Sequence, residues 1–291
     1  MVLPVDCRMQ SVISVLENSV YRKIVGRCAY NNIYLKYMDS RKNFAIEYGH
    51  PIVNLQRYGF IITEKHYLHE EKEAFIHDLK LSQGAVIQHS YSSLLLRMRL
   101  IKTGLPVDIP HMIYTQEVNT KNEQLVMKTS DAKFKLMSWN HLFSQENEKI
   151  AVYFIMQKPE KHLDTDALLA EFSKSCALYP LYNTPDIHQK IKKDITEDML
   201  INQSSLAVPL WNRNIWKMHI TRGWFSSFAN EVLQNNTLQK KMLALSQSYH
   251  DLSVSINQMA IKEKNFNLAP HISQLMENLH EESRIISKFS T

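Results

Sequence analysis

At Lys158-Pro159 the periodicity of this chain changes, and with it the kind of element it can form. Before that point, short β-prone runs alternate with turn residues and a few amphipathic stretches. After it, apolar residues recur at spacings of three and four, broken only by Pro, Asn and Gly. Strands followed by a run of helices make an α+β chain rather than an alternating parallel fold. Helices are expected over 164–179, 185–200, 211–234, 238–262 and 270–287, the last with Ile272, Leu275, Met276, Leu279 and Ile286 on one stripe. Asn235-Asn236 reads as a helix–helix turn.

In the N-terminal part, Met9, Val12, Ile13, Leu16 and Val20 predict a helix over 8–20, with Asp6 as its N-cap. A short strand is expected at 59–63, a charged helix over 70–81, and strands over 85–89, 112–118, 124–129 and 150–156. The 119–123 segment carries turn chemistry, so 112–118 and 124–129 form a hairpin. A short helix fits 138–144. Two domains follow: a catalytic one over 1–157 and a helical one over 158–291.

Only six glycines occur in 291 residues, and no GxGxxG or GxxxxGK[ST] pattern is present. Folds that cradle phosphates in glycine-rich loops are therefore excluded. The 13 histidines include no HExxH and no HxH pair, so no resident metal is expected. Cys7, Cys28 and Cys176 are odd in number and unrelated in spacing, which suits a reducing cytoplasm better than a disulfide framework. A net charge of +5 spread along the chain does not call for nucleic acid. No signal segment and no apolar run of membrane-spanning length stands out, so no membrane role is expected.

Cys7 is the candidate nucleophile. At the first turn of a helix a thiol meets the positive end of the helix dipole, which favours the thiolate. The Asp6 carboxylate opposes this unless it is turned away as a cap. A cysteine nucleophile needs a base, and the base needs an orienting partner. His111 heads one hairpin strand and Asp131 ends the other, almost equidistant from the turn, so pairing sets them at the same open end. The bland alternatives are a small buried cysteine, a surface histidine and an ordinary turn aspartate.

Four pieces carry a resemblance to a known family: Asp6-Cys7 leading a helix, Gln83-Gly84-Ala85-Val86-Ile87 leading to Ser90-Tyr91, Pro110-His111-Met112-Ile113, and Lys128-Thr129-Ser130-Asp131 followed by Trp139-Asn140-His141-Leu142. In this order they resemble the papain-like cysteine acyltransferases typified by the butirosin biosynthesis H protein, over roughly residues 1–157. The resemblance implies a papain-like domain that moves an acyl group from the phosphopantetheine thioester of an acyl carrier protein to an amine or alcohol in specialised metabolite assembly. Cys7 would be the nucleophile, His111 the general base and Asp131 the orienting carboxylate. No cofactor of its own is implied, since the carrier protein supplies the phosphopantetheine.

The chain departs from the papain pattern at one place. The oxyanion-hole glutamine six residues before the cysteine is Met1 here, so Gln10 or Gln56 is expected to join the Cys7 N–H in that task. A cysteine hydrolase on the same triad, and a non-catalytic binding protein with this fold, are the alternative readings. Trp211, Trp216, Trp224, Phe225 and Phe228 read as helix-packing core before they read as a substrate box. Arg213, Lys217, Arg222, Lys240 and Lys241 are expected to form a modest basic surface, suited to an acidic carrier or simply solvated.

Overall fold

The computed structural model describes residues 7–16, 35–38, 43–46, 55–56, 60–90, 110–119, 121–128, 134–143, 149–157, 165–201, 207–262 and 267–289. In chain order the elements are α1 (Cys7–Leu16), β1 (Leu35–Met38), β2 (Asn43–Ile46), β3 (Ile61–Tyr67), α2 (Lys72–Leu81), β4 (Ala85–Ser90), β5 (Pro110–Asn119), β6 (Gln124–Lys128), β7 (Phe134–Ser138), α3 (Trp139–Leu142) and β8 (Ile150–Gln157). Five helices follow: α4 (Thr165–Tyr182), α5 (Pro185–Ile201), α6 (Ala207–Glu231), α7 (Asn236–Lys262) and α8 (Ala269–Ile286). The chain is α+β, with an antiparallel sheet and then a mainly helical remainder.

Two compact units divide it, though not by a single cut. One comprises Val5–Val25 and His50–Leu163; the other comprises Met1–Pro4, Gly26–Gly49 and Asp164–Thr291. Residues 26–49, expected in the N-terminal domain, thus group with the helices. The reason is local: β1 and β2 pair antiparallel, β1 packs on α4, and β2 packs on α5 and α6. The Tyr37 hydroxyl donates to Asp194 on α5, and Lys190 lies over the Tyr37 ring, 5.6 Å from its centre.

In the first unit six antiparallel strands run in the order β3-β8-β4-β5-β6-β7. Strand alternation sends Ala85, Ile87, Ile113, Leu125, Met127, Met137, Val152 and Phe154 to one face, where Phe75, Ile76 and Leu79 of α2 meet them in a single core. Val86, Met112 and Tyr114 alternate to the other face and are buried as well, although they are not part of that core. α1 packs against β5, and its buried Val12 and Val15 also lie outside the α2 core, so α1 covers this second face.

In the helical unit α6 and α7 are the longest helices and form a hairpin. Its connection is closed by the Asn235 N–H bonding the Ala229 carbonyl at 2.9 Å and by Asn235 Oδ1 accepting the Leu238 N–H at 2.9 Å. Trp211, Trp224, Phe225 and Phe228 are buried in this unit, as a packing role requires, while Trp216 is exposed. Arg222 is not on the expected basic surface. It is 1% exposed and pairs with Glu282 of α8, which is 0% exposed.

Arg222 Nε donates to Glu282 Oε2 at 2.7 Å, and Nη2 donates to Oε1. The Tyr179 hydroxyl of α4 donates to Oε1 at 3.1 Å and that of Tyr249 on α7 to Oε2 at 3.3 Å. Burial works against the guanidinium charge, but Glu282 beside it outweighs burial and the net shift of Arg222 is upward. Four helices are therefore tied at one carboxylate. Arg222→Met should lower unfolding free energy by about 3–5 kcal/mol, because Glu282 is left buried without its counter-charge. Arg222→Met with Glu282→Leu should recover most of that loss in urea denaturation, since both charges then leave the core.

A second buried group points to pH. His188 on α5 is 2% exposed, stands 5.4 Å ring to ring from His280 on α8, and has no hydrogen-bond partner at either nitrogen. Burial, and then His280, pull its pKa below the ordinary value, with Glu282 opposing them. The folded state thus holds His188 neutral where an unfolded chain takes up a proton, so stability falls as pH drops below about 6.5. Urea midpoints measured from pH 7.5 to 5 should fall, and the fall should be shallower in His188→Leu.

Candidate active site

α1 begins at Cys7, so the backbone N–H groups of its first turn, Cys7's own among them, have no partner within the helix. The Cys7 and Gln10 side chains and the Asp6 cap lie outside the described residues. Ser11, Val12, Ser14 and Val15 are buried, which gives α1 the packing stripe that the sequence predicts and fixes it against β5. β5 begins at Pro110, and its second residue is His111, opposite His89 of β4. The helix that opens with the candidate nucleophile is therefore packed on the strand that opens with the candidate base. The His111 side chain is outside the description.

Asp131 falls between β6 and β7, also outside the described residues. The hairpin that leads to it is described. Around the turn at 121–123, where Glu123 takes a positive φ of 52°, Asn119 pairs with Gln124, Val118 with Leu125 and Glu117 with Val126. The register then shifts, and Thr115 pairs with Met127 and Tyr114 with Lys128. Gln116 is thus the extra residue of a bulge in β5. The described pairing ends with Tyr114 and Lys128, three residues short of Asp131 in sequence.

Gln56 is exposed, and its side-chain amide donates to the Ile62 carbonyl on β3 at 3.3 Å. β3 is three strands from β5 in the sheet order, roughly 14 Å at ordinary strand spacing. The structure therefore engages Gln56 away from the head of β5. Gly84, from the resemblance motif, precedes β4 with φ +131°, and an added Cβ would stand 2.7 Å from the Tyr114 hydroxyl. Only glycine allows both that backbone and the seat of Tyr114 on the α1-covered face.

Lys128 is the residue that sequence reasoning passed over. It is 5% exposed and pairs in register with Tyr114, on the face that α1 covers. The signal was available in the alternation: once Leu125 and Met127 are assigned to the α2 core, Lys128 must take the opposite face. Lysine is seldom buried this far, and this one stands three residues before Asp131 in sequence.

The other cysteines differ in standing. Cys28 lies outside the described residues. Cys176, in α4, is 0% exposed and in no disulfide, and burial pushes its thiol up to about 12. A thiol so placed is inert as a nucleophile at neutral pH. Of the expected basic surface, Lys240 is exposed and Arg213, Lys217 and Lys241 are half-buried, with Arg222 taken into the core. Among the described residues no group of three or more His, Cys, Asp or Glu side chains could hold a metal ion, and no helix is long and apolar enough to cross a membrane. No model of a known protein family matches this chain, and no curated protein compared with it does so.

Proposed function

We propose that this protein is a papain-like cysteine acyltransferase that carries an acyl group on Cys7, delivered from a carrier-protein thioester and passed to an amine or alcohol in specialised metabolite assembly. One observation carries the reading: α1, opening at Cys7, packs on β5, which opens at Pro110-His111. The β5–β6 hairpin supports it: the strand that holds His111 pairs with the strand that ends three residues before Asp131.

The chemistry follows from those roles. His111 takes the Cys7 proton, the thiolate attacks the thioester carbonyl, the C–S bond to phosphopantetheine breaks, and the carrier's thiol leaves with the proton returned by His111. The acceptor amine or alcohol, deprotonated by His111, then attacks the acyl-cysteine and frees the Cys7 thiol. Asp131 keeps the imidazole in the required tautomer. With Gln56 bonded on β3, the oxyanion donors in this reading are the Cys7 N–H and Gln10.

Intact-mass spectrometry after incubation with acyl-pantetheine thioesters should show one acyl group on the protein. Cys7→Ala should abolish the adduct and Cys176→Ala should leave it, in keeping with the buried, weakly acidic Cys176 thiol. His111→Ala should slow acylation by roughly 10²–10⁴-fold. An adduct that survives Cys7→Ala overturns the assignment, and turnover to free acid in the presence of amines would assign a hydrolase instead.

A further inference from the structure

Outside the proposed active site, two histidines 31 residues apart meet where α6 packs on α7. The rings of His219 (α6) and His250 (α7) are 4.9 Å apart, centre to centre, with 57° between their planes. Trp216, one turn before His219, stands 5.0 Å from His219 and 5.6 Å from His250. From these contacts we infer that His219 and His250 form a two-imidazole site for a late first-row divalent metal ion, with Cu²⁺ bound most tightly and Ni²⁺ and Zn²⁺ more weakly.

The tautomers are set for it. His219 Nδ1 is 2.9 Å from the Ser246 carbonyl oxygen, which only accepts, so Nδ1 carries the proton and Nε2 keeps its lone pair. His250 Nδ1 is 3.1 Å from Asp251 Oδ1, the shorter of its two contacts and the one that favours a proton on Nδ1; Gln247 Nε2 stands 3.4 Å from Nδ1 and donates to the same carboxylate oxygen at 2.8 Å. A histidine that donates Nδ1–H to a carbonyl or carboxylate and offers Nε2 outward is the arrangement that protein metal ligands adopt. Among the described residues neither Nε2 has a hydrogen-bond partner; His219 is 8% exposed and the His250 side chain 35%.

Position agrees with this. Metal–nitrogen bonds of about 2.0–2.1 Å put the centres of two adjacent imidazoles on one ion roughly 4.5–5.2 Å apart, and the observed separation lies inside that range. Imidazole suits Cu, Ni and Zn, and affinity rises to Cu²⁺ along the Irving–Williams series. With two protein ligands, water fills the remaining positions. The ion would bridge α6 and α7 midway along their hairpin, so the site acts as a clamp on that pair.

Titration of the full chain with CuCl₂, followed by electron paramagnetic resonance and by Trp fluorescence, tests the site. Wild type should bind one equivalent with nitrogen hyperfine structure from two imidazoles and with strong quenching, Trp216 being within 6 Å of both rings. His250→Gln should weaken binding at least tenfold, measured against its own metal-free melting temperature as baseline. Trp216→Phe should remove the quenched emission without altering the resonance spectrum. ZnCl₂ should raise the melting temperature of wild type and not that of His250→Gln. A His250→Gln spectrum and affinity equal to wild type overturns the inference, as does a one-nitrogen signal in the wild-type protein.

Discussion

Four helices of the C-terminal unit converge on one carboxylate. Glu282 is fully buried, so its charge is tolerable only if it is matched, and it is matched by a forked guanidinium and two tyrosine hydroxyls from three other helices. Apolar packing alone permits sliding of one helix along another by a turn at modest cost. A carboxylate that needs Arg222, Tyr179 and Tyr249 at once does not. The partners lie 33 to 103 residues from Glu282 along the chain, so the contact is satisfied only in the arrangement that brings all four helices together. The aromatic contacts of Phe172, Phe225 and Phe228 supply the area; the ion pair supplies the register.

Two histidine pairs in this unit show how neighbours decide a ring's behaviour. His188 faces His280 with no partner at either nitrogen, so its pair can respond only to protons and makes acid costly. His219 and His250 are each anchored through Nδ1, so their remaining nitrogens are directed and available. The residue type is the same and the ring separations are close, 5.4 and 4.9 Å. Only the second pair has its lone pairs fixed in space.

How far the sequence speaks depends on the range of the cause. The strands at 85–90, 110–119, 124–128 and 150–157 and the five C-terminal helices were legible because alternation or a 3.6-residue stripe runs through each. The helix starting at Ala207 is longer than its apolar stripe suggests, and Pro209 is accommodated in its first turn. β1, β2 and β7 were not legible: each has four or five residues, and β7 is a sheet edge with Leu136 61% exposed, so no pattern marks it. Arg222 looks solvated in sequence because its counter-charge is 60 residues away, and the His219–His250 pair is invisible for the same reason. The pairing of β5 with β6 followed from counting residues about a turn, whereas the one-residue slip at Gln116 did not.

That slip fixes the phase of β5. A β-strand is a two-state lattice in which a residue's parity decides its face, and the bulge at Gln116 inverts the parity of everything between it and Pro110 relative to the turn. With an unbroken ladder, Ile113 and Thr115 would lie under α1, and Met112 and Tyr114 would enter the α2 core. Gly84, cut to fit Tyr114, would then be matched to the wrong neighbour. Length changes in this strand are therefore quantised: adding or removing two residues on the Pro110 side preserves every facing, while a single residue exchanges both cores at once. Homologues that vary here should do so in even steps or move the bulge to compensate.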